Sequence, residues 1–487
     1  MITAFLGFCP DFDPSMPGVM TACSGIMPTV KGFKPTPSPQ QLYVALPSAC
    51  IGEAFWALYL NGTQRFFAGT ATQLYEGVNG TWTPVGSGSY GGGKWRFAMY
   101  GNDCIATNGI DAPQVAGTSG SFSALGGSPP IAPLVETLYG FTFLFESDNW
   151  HCSGIGTDNV WSNSVADQSA TGPLIDTPGS ITAARKLGRS IVVNKQNGVY
   201  RGDFVDVPLI WDFSLVAPVP GARSQGCVVD IGMQHAFIGT DDFYLTDGQA
   251  VWSIPGINGA PNPVKEWFFS NLDGTNAANI EGAFDQSTET VRWHFPSINA
   301  NPAGSLDMVV MWNYRTNKWT ADNYPIEAII RPSIAAYTSW TYQQFDTAYG
   351  TYNGIPNLPY NSQLFFGSNQ GYNGFIDTNH VANAFSGPPG SSTITTGDYG
   401  DDVHNWFLDG IRPVMSLYPS LPENPATATE FWRERLGDKL TQSDTEQLSG
   451  SKFPLRQSAA FHRWQFNFTG AYEIIGIDPN LIEDGDL

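Results

Sequence analysis

The residues of this sequence that could do chemistry are, first, its paired carboxylates. Three pairs stand close together in the chain: Asp203 with Asp206, Asp241 with Asp242, and Asp401 with Asp402. Two carboxyl groups about 5–9.5 Å apart across a sugar site can hydrolyse a glycosidic bond. Neighbouring residues of a strand point to opposite faces, so Asp241 and Asp242 are poorly arranged for this reaction. We therefore favour turn-stabilising acids and keep a glycan-binding or glycan-degrading protein, an adhesin or depolymerase, as the alternative function.

The sequence patterns that would indicate a catalytic nucleophile or a metal site are even weaker than the carboxylate pairs. The histidines stand singly, without an H-E-x-x-H pair, and the cysteines form no C-x-x-C. The glycine-rich segment 86–93 lacks the following Lys-Ser or Lys-Thr of a phosphate-binding loop and indicates a flexible turn. The sequence therefore predicts that the protein is not an enzyme and has no cofactor and no metal site. The cysteines are expected to be buried thiols rather than a disulfide framework.

The elements that would position such residues repeat along the chain. The segments FFAGTATQLYEG (66–77), AFIGTDDFYLTDG (236–248) and LFFGSNQGYNGFIDTN (364–379) share an apolar run, a small break and an aromatic strand. Weaker copies lie at 104–114, 149–161 and 191–203. The anchors of successive copies are 39 to 46 residues apart: Gly69, Asn108, Gly154, Asn194 and Gly239. A period of about 40–50 residues made of short strands is typical of a β-propeller.

Composition supports an all-β fold, because only 14% of the residues are charged while Gly (53) and Pro (35) are abundant. We predict a β-propeller of six or seven blades with a small C-terminal β-sandwich-like domain. The predicted boundaries are an extended N-terminal lead-in over 1–53, the propeller with insertions over 54–392, the C-terminal β domain over 393–478, and an acidic tail over 479–487.

Three local patterns refine this organisation. Segment 262–273 has Asn262 as a possible N-cap and Pro263 at the first helical position, which predicts one short helix. Segment 427–436 fits a strand or a helix equally well. In 461–468, Trp464, Phe466 and Phe468 alternate with polar residues, which predicts a strand with one buried face.

The net charge of −21 argues against sequence-independent binding of nucleic acid, which needs clustered Lys and Arg. The N-terminus has no basic segment typical of a secretory signal, and no apolar run reaches the roughly 20 residues that span a bilayer. We therefore expect a protein that folds in a reducing cytosol and does not insert into membranes.

Several segments resemble the propeller proteins in the tails of short-tailed, podovirus-type bacteriophages. The opening PDFDPSMPGVMTACSGIMPTVKGFKPTPSP is similar to the lead-in of that family, whose "P-T-x-K/R-G" motif is matched by Pro28, Thr29, Lys31 and Gly32. RFFAGTATQLYEG, KWRFAMYGNDCIATNGIDAPQ and MVVMWNYRTNKW resemble its blade segments, and FHRWQFNFTGAYEIIGID resembles its closing strands. The likeness extends from about residue 11 to 478, and the stretch 337–392 departs from it.

The resemblance implies a structural virion protein of the tail nozzle, or tail tube, assembled in the host cytoplasm. Such proteins form a homo-oligomeric ring, typically a hexamer, below a tail adaptor protein and next to fibre, spike or needle proteins. The ring serves in genome retention and ejection, and DNA passes through its channel without specific binding. The family offers no catalytic residues to carry over.

Two sets of residues follow as site predictions for such a ring. Aromatic side chains in the Tyr/Gly/Pro-rich loops are expected at subunit or partner contacts: Trp340, Tyr342, Tyr349 (next to Ala348), Tyr352 and Tyr372. Acids are expected to line the lumen and repel DNA: Asp241, Asp242, Asp401 and Asp402. We predict a negatively charged lumen with few Lys or Arg, because phosphate-binding cations would turn a channel into a trap.

Overall fold

Short strands joined by tight turns dominate the computed structural model, which describes residues 2–256, 259–332, 374–417 and 426–486. The N-terminal lead-in contributes six strands joined by turns: Thr3–Ala4 (β1), Gly7–Phe8 (β2), Val19–Ser24 (β3), Ile26–Pro28 (β4), Phe33–Pro35 (β5) and Pro37–Ala45 (β6).

Six four-stranded units follow, each folded as an antiparallel meander. Blade one contains Ala54–Leu58 (β7), Gln64–Gly69 (β8), Leu74–Val78 (β9) and Thr81–Pro84 (β10). Blade two contains Arg96–Tyr100 (β11), Asp103–Thr107 (β12), Gln114–Ala116 (β13) and Ser123–Ala124 (β14). Blade three contains Leu134–Leu138 (β15), Phe141–Glu146 (β16), Asn149–Cys152 (β17) and Ala170–Pro173 (β18).

The second half of the ring follows the same plan. Blade four contains Ile181–Leu187 (β19), Ser190–Lys195 (β20), Gly198–Asp206 (β21) and Ile210–Ala217 (β22). Blade five contains Val229–Asp230 (β23), His235–Ile238 (β24), Phe243–Thr246 (β25) and Val251–Ser253 (β26). A helix, Lys265–Asn271 (α1), and a 3₁₀ helix, Gly274–Asn279, precede blade six, which contains Glu281–Asp285 (β27), Thr290–Phe295 (β28), Leu306–Asn313 (β29) and Lys318–Pro332 (β30).

The propeller prediction is confirmed, with six blades. Strand β30 closes the ring, because its far end leaves β29 and pairs in parallel with β7, placing Ile330 opposite Ala54. In four blades, the predicted anchor residue lies at or next to the end of the second strand, so these copies of the repeat are equivalent. Gly154 instead follows a third strand, because the turns after second and third strands share the same small polar chemistry.

Further strands follow the blades, and most of them complete a β-sandwich. They are Gly374–Asp377 (β31), Val381–Pro389 (β32), Ser391–Thr396 (β33), Tyr399–Gly400 (β34), His404–Leu417 (β35), Thr427–Arg433 (β36), Thr441–Gln447 (β37), Phe453–Ala459 (β38), Phe461–Thr469 (β39) and Glu473–Asp486 (β40). One sheet has the order β38-β35-β40-β5-β4 with β1 at β40, and the facing sheet has the order β2-β3-β33-β39-β36-β37 with β34 at β39. Strands β31, β32 and β6 extend from β30 instead.

The sandwich core draws on both chain ends. Phe33 from the lead-in and Ile474 from the last strand pack with Trp464, Phe466 and Phe468, all fully buried. The predicted alternation in 461–468 is therefore confirmed. Segment 427–436 is a strand as far as Arg433, because its backbone pairs with β39.

The expected acidic tail is part of the fold as far as residue 486. Strand β40 pairs with β35 along this segment, with Leu481 opposite Leu408 and Glu483 opposite Trp406. Half-buried Leu481 packs on the sandwich core. The acids there occupy the exposed positions of a strand, and charge alone did not reveal this pairing.

The predicted short helix is confirmed, but α1 begins at Lys265 rather than at Pro263. Asn262 Oδ1 accepts from the Val264 amide just before the helix, at 3.0 Å. The first-turn amides of Glu266 and Trp267 donate to the Asp11 carboxylate at 2.7 and 2.9 Å. The cap therefore comes from the lead-in, which fastens the sandwich side of the molecule to the propeller.

Candidate functional site: the axial cavity

A cavity of about 210 Å³ lies on the propeller axis. Its lining comes from all six inner strands: Phe55 of β7, Phe97 and Met99 of β11, Glu136 of β15, Arg185 and Lys186 of β19, Val229 and Asp230 of β23, and Ala283 and Phe284 of β27. The end of β30, including Arg331, completes the wall. Inner strands converge in a propeller, so charged residues on different blades meet at this position.

Buried ion pairs form part of the cavity wall. Glu281 accepts from Arg96 at 2.6 and 3.2 Å and from Arg331 Nη2 at 3.2 Å. Glu53 lies 2.8 Å from Arg331 Nε and 3.3 Å from Arg96 Nη1, and it also accepts from the Phe97 amide at 3.0 Å. This network joins blades one, two and six.

In this network, the attraction between opposite charges outweighs the effect of burial on the pKa values of Glu281 and Arg96. Burial alone would raise the pKa of Glu281, but the Arg96 and Arg331 guanidinium groups outweigh burial and hold that pKa below its ordinary value. Burial would lower the pKa of Arg96, whereas Glu281 and Glu53 raise it above the ordinary value. Both side chains therefore remain charged at neutral pH.

Arg185 is less well compensated. Its Nη2 lies 4.0 Å from Glu53 Oε2 and donates to the Gln225 carbonyl at 3.4 Å. Burial, followed by repulsion from Arg331, lowers the pKa of Arg185 to about 10. Among the described residues, its Nε has no hydrogen-bond partner.

Other lining residues form weaker pairs. Lys186 Nζ lies 3.8 Å from Glu136 Oε1, and Glu136 also accepts from the Thr137 amide at 2.9 Å. Asp230 accepts from the Gly232 amide at 2.7 Å. Burial lowers the pKa of His235, whose Nε2 lies 3.0 Å from the Lys186 carbonyl, so the ring is neutral and Nε2 donates.

The network residues were not singled out from the sequence. Glu53, Arg96 and Glu281 each stand at the start of an inner strand, directly before or at the beginning of an apolar run. A charged residue at the start of a strand does not by itself indicate a buried ion pair. Pairing them needs the ring closure that brings blade six next to blade one.

The predicted lumen acids lie on two different parts of the molecule. Asp241 and Asp242 are in the turn between β24 and β25, where Asp241 accepts from Tyr244 and Asp242 pairs with Lys265 at 3.1 Å. Asp401 precedes β35 and accepts from the amides of residues 403 and 404 at 2.8 Å. Whether these acids face the lumen of a ring stays a prediction, as does the role of the predicted interface aromatics Trp340, Tyr342, Tyr349, Tyr352 and Tyr372, which lie outside the described residues.

The third carboxylate pair is also engaged in local structure. Asp203 pairs with Arg201 at 2.8 Å, and Asp206 accepts from the Val207 amide at 2.7 Å. The six cysteines are free thiols, five of them buried. Among the described residues, no group of three or more His, Cys, Asp or Glu side chains is arranged to hold a metal ion.

An exposed apolar surface, the rim patch, lies on the turns between third and fourth strands of blades three and four. Its members are Ile155, Val165, Val205, Val207 and Leu209. Leu209 is 66% exposed, at the tip of the β21–β22 hairpin. Gln168 Nε2 donates to Asp206 Oδ1 at 3.3 Å, which places the two turns next to each other.

Comparisons with known proteins add little to this description. No protein-family model matches the chain. No curated protein matches it either. Among solved structures it is similar to one described as "YCF48 bound to D1 peptide", at 10% identity and a TM-score of 0.38 over 71% of this chain and 94% of that chain. A likeness at that level carries no functional conclusion, and the propeller fold rests on the strand pairings themselves. Within the described ranges, no helix is long and apolar enough to cross a membrane.

Proposed function

We propose that this protein is a structural subunit of the tail nozzle of a short-tailed bacteriophage and forms a homo-oligomeric ring, most simply a hexamer. The observation that carries the proposal is the rim patch, five large aliphatic side chains exposed on adjacent turns of one propeller face. Apolar surfaces of this kind mark interaction sites on soluble proteins. The sequence resemblance indicates the type of assembly.

The rim patch is large enough to matter energetically. Burying each aliphatic side chain contributes about 1.5–3 kcal/mol. In a cyclic ring the patch meets a different surface of the next subunit, so every copy contributes it once. The patch would then form the apolar centre of a subunit contact, surrounded by polar groups such as Gln168 and Asp206.

In this proposal the ring sits below a tail adaptor and contacts fibre, spike or needle proteins at its periphery or tip. DNA passes through the ring without specific binding, and the net charge of −21 is compatible with a repulsive bore. The protein acts in the virion tail after assembly in the host cytoplasm.

The alternative, a glycan-degrading propeller, is less well supported by the axial cavity. Glycoside hydrolysis needs a carboxylic acid with a raised pKa beside a second, ionised carboxylate. Glu281 has a lowered pKa, and Glu53 accepts from Arg96 and a backbone amide and lies 2.8 Å from Arg331 Nε. Charges held in this way stabilise the propeller rather than transfer protons to a sugar.

The test is the effect of Leu209→Asp on assembly, measured by sedimentation velocity. The matched control is Ile298→Asp, which puts the same charge on another highly exposed side chain, in the loop between β28 and β29. We expect Leu209→Asp to abolish or strongly weaken oligomers while Ile298→Asp leaves them intact, with equal melting temperatures. If Leu209→Asp leaves the oligomers unchanged, the rim patch is not part of the subunit contact.

A further inference from the structure

The outer strand of blade four, β22, is eight residues long. The outer strands of blades one, two, three and five are shorter: β10 has four residues, β14 two, β18 four and β26 three. Blade six has a longer outer strand, β30, but β31 pairs with it. Within the described ranges, β22 pairs with β21 alone, so its other side is a free edge of the sheet.

This outer edge of β22 is regular over residues 211–215. These residues pair one to one with residues 204 to 200 of β21, and the register shifts of the strand pair lie outside that stretch. In an antiparallel ladder, every second residue of an edge strand points its N–H and C=O groups away from the paired strand. Such a row of backbone groups is a template on which a further strand can be added.

The side chains of this stretch do not block the addition of a strand. Soluble proteins commonly protect an edge strand with Lys, Pro or a bulge. Residues 211–215 read Trp-Asp-Phe-Ser-Leu, with neither Lys nor Pro and with Asp212 as the one charged residue. Because apolar and polar residues alternate, Phe213 and Leu215 share one face of the sheet. Phe213 packs against Trp150 with ring centroids 4.8 Å apart, and Leu215 is 36% exposed.

The alternation defines the chemistry of a strand that fits this edge. Apolar side chains of the added strand would lie beside Phe213 and Leu215 and cover the exposed part of Leu215. A hydroxyl or a basic side chain fits beside Asp212, because like charges directly opposite each other destabilise a strand pair.

The rim patch is continuous with this edge. Leu209 directly precedes β22, and Val205 and Val207 lie on the same hairpin. A neighbouring copy that covers the rim patch, as in the proposed function, therefore lies next to the outer edge of β22. The expected occupant of the edge is accordingly a second copy of this chain.

We propose that the outer edge of β22 pairs with an extended strand of the neighbouring copy, which thereby adds a fifth strand to the four-stranded sheet of blade four. The inference rests on the proposed function, because it describes how copies that meet at the rim patch are joined. The rim patch contributes apolar area, whereas the backbone hydrogen bonds of the added strand fix the orientation of one copy relative to the next.

The first test measures amide hydrogen exchange in β22 by mass spectrometry with residue-level fragmentation, in the wild-type oligomer and in monomeric Leu209→Asp. Amides bonded to β21 should be protected in both proteins, which shows that the hairpin is intact. The outward amides, at alternate positions of 211–215, should exchange at least about 10-fold more slowly in the oligomer than in the variant. Oligomers whose outward amides exchange as fast as those of the variant would overturn the added strand while the proposed ring stands. A monomeric wild-type protein would overturn both.

The second test removes one outward amide. Proline lacks an N–H but is tolerated at an edge position whose N–H is not bonded within the sheet. The variant is Phe213→Pro or Ser214→Pro, whichever position has the outward amide in the exchange experiment, and the matched control is alanine at the same position, which keeps the N–H. We expect the proline variant to raise the dissociation constant of the oligomer by about 10-fold or more relative to the alanine variant, because a carbonyl of the added strand loses its donor. Equal dissociation constants in folded variants would overturn the proposal. Should the proline variant fail to fold, the exchange comparison decides the matter.

Discussion

Removing one carboxylate from the buried axial network should destabilise the propeller strongly. Glu281→Gln keeps the size and an acceptor oxygen of the side chain but deletes its negative charge. Arg96 and Arg331 would then share Glu53 alone, which leaves one buried positive charge without a close carboxylate. Glu281 is only 3% exposed, so little water can reach and solvate the guanidinium group that loses its partner.

Breaking a buried ion pair by deleting one partner costs about 3–5 kcal/mol. For a chain of this size, such a loss corresponds to a fall of about 3–5 °C in melting temperature. Differential scanning calorimetry measures it without assuming two-state unfolding. The control is Glu289→Gln, because Glu289 pairs at 3.1 Å with Arg315, whose side chain is 61% exposed. Loss of that surface pair should cost less than about 1 kcal/mol.

A double substitution sharpens the test. Arg96→Gln combined with Glu281→Gln removes one charge of each sign, so the pair should lose less stability than the sum of the single losses. Additive losses, or a melting temperature for Glu281→Gln within about 1 °C of Glu289→Gln, would show that the network is not a principal stabiliser of the ring closure.

Three further outcomes are expected. The pKa of Glu281 is lower in the folded protein than in the unfolded chain. Its stabilising contribution is therefore present above the unfolded pKa and is lost as the pH falls through the folded pKa. Calorimetry at descending pH should show a loss of melting temperature in the wild type that is smaller in Glu281→Gln. Asp11→Ala removes the carboxylate that caps α1 and should cost about 0.5–2 kcal/mol, with faster amide exchange confined to α1 and its contacts; unchanged exchange there would exclude the cap. Replacing Trp340 and Tyr342 with Ser should impair ring formation or attachment of tail partners while the propeller stays folded, and normal virion assembly with both replaced would remove that loop from the interface.

The fold was largely predictable from the sequence because a propeller repeats its local pattern. Each blade has its own apolar alternation and turn chemistry, so the period of the repeat is visible without knowledge of long-range contacts. The anchor Gly154, which follows a third strand instead of a second, shows the limit of that local information. The use of lead-in strands in the sandwich and the cap from Asp11 depend on contacts more than 250 residues apart.

The axial cavity was not predictable for the same reason. Glu53 and Glu281 meet only because β30 closes the ring against β7. The carboxylate pairs that sequence spacing emphasised, such as Asp203 with Asp206, are engaged in local turns and strand edges. Proximity in sequence therefore marked structural acids, and the charged cluster on the axis came from residues on different blades.

The central claim is that this chain assembles into a ring, and the native mass of the purified wild-type protein at physiological salt tests it most directly. Light scattering coupled to size-exclusion chromatography should give a species of about 317 kDa, six copies of the 52.8 kDa chain. Its weight should be unchanged on moderate dilution, as expected of an interface with an apolar centre. A mass of 52.8 kDa at every concentration, in protein whose calorimetric transition shows it to be folded, would contradict the account.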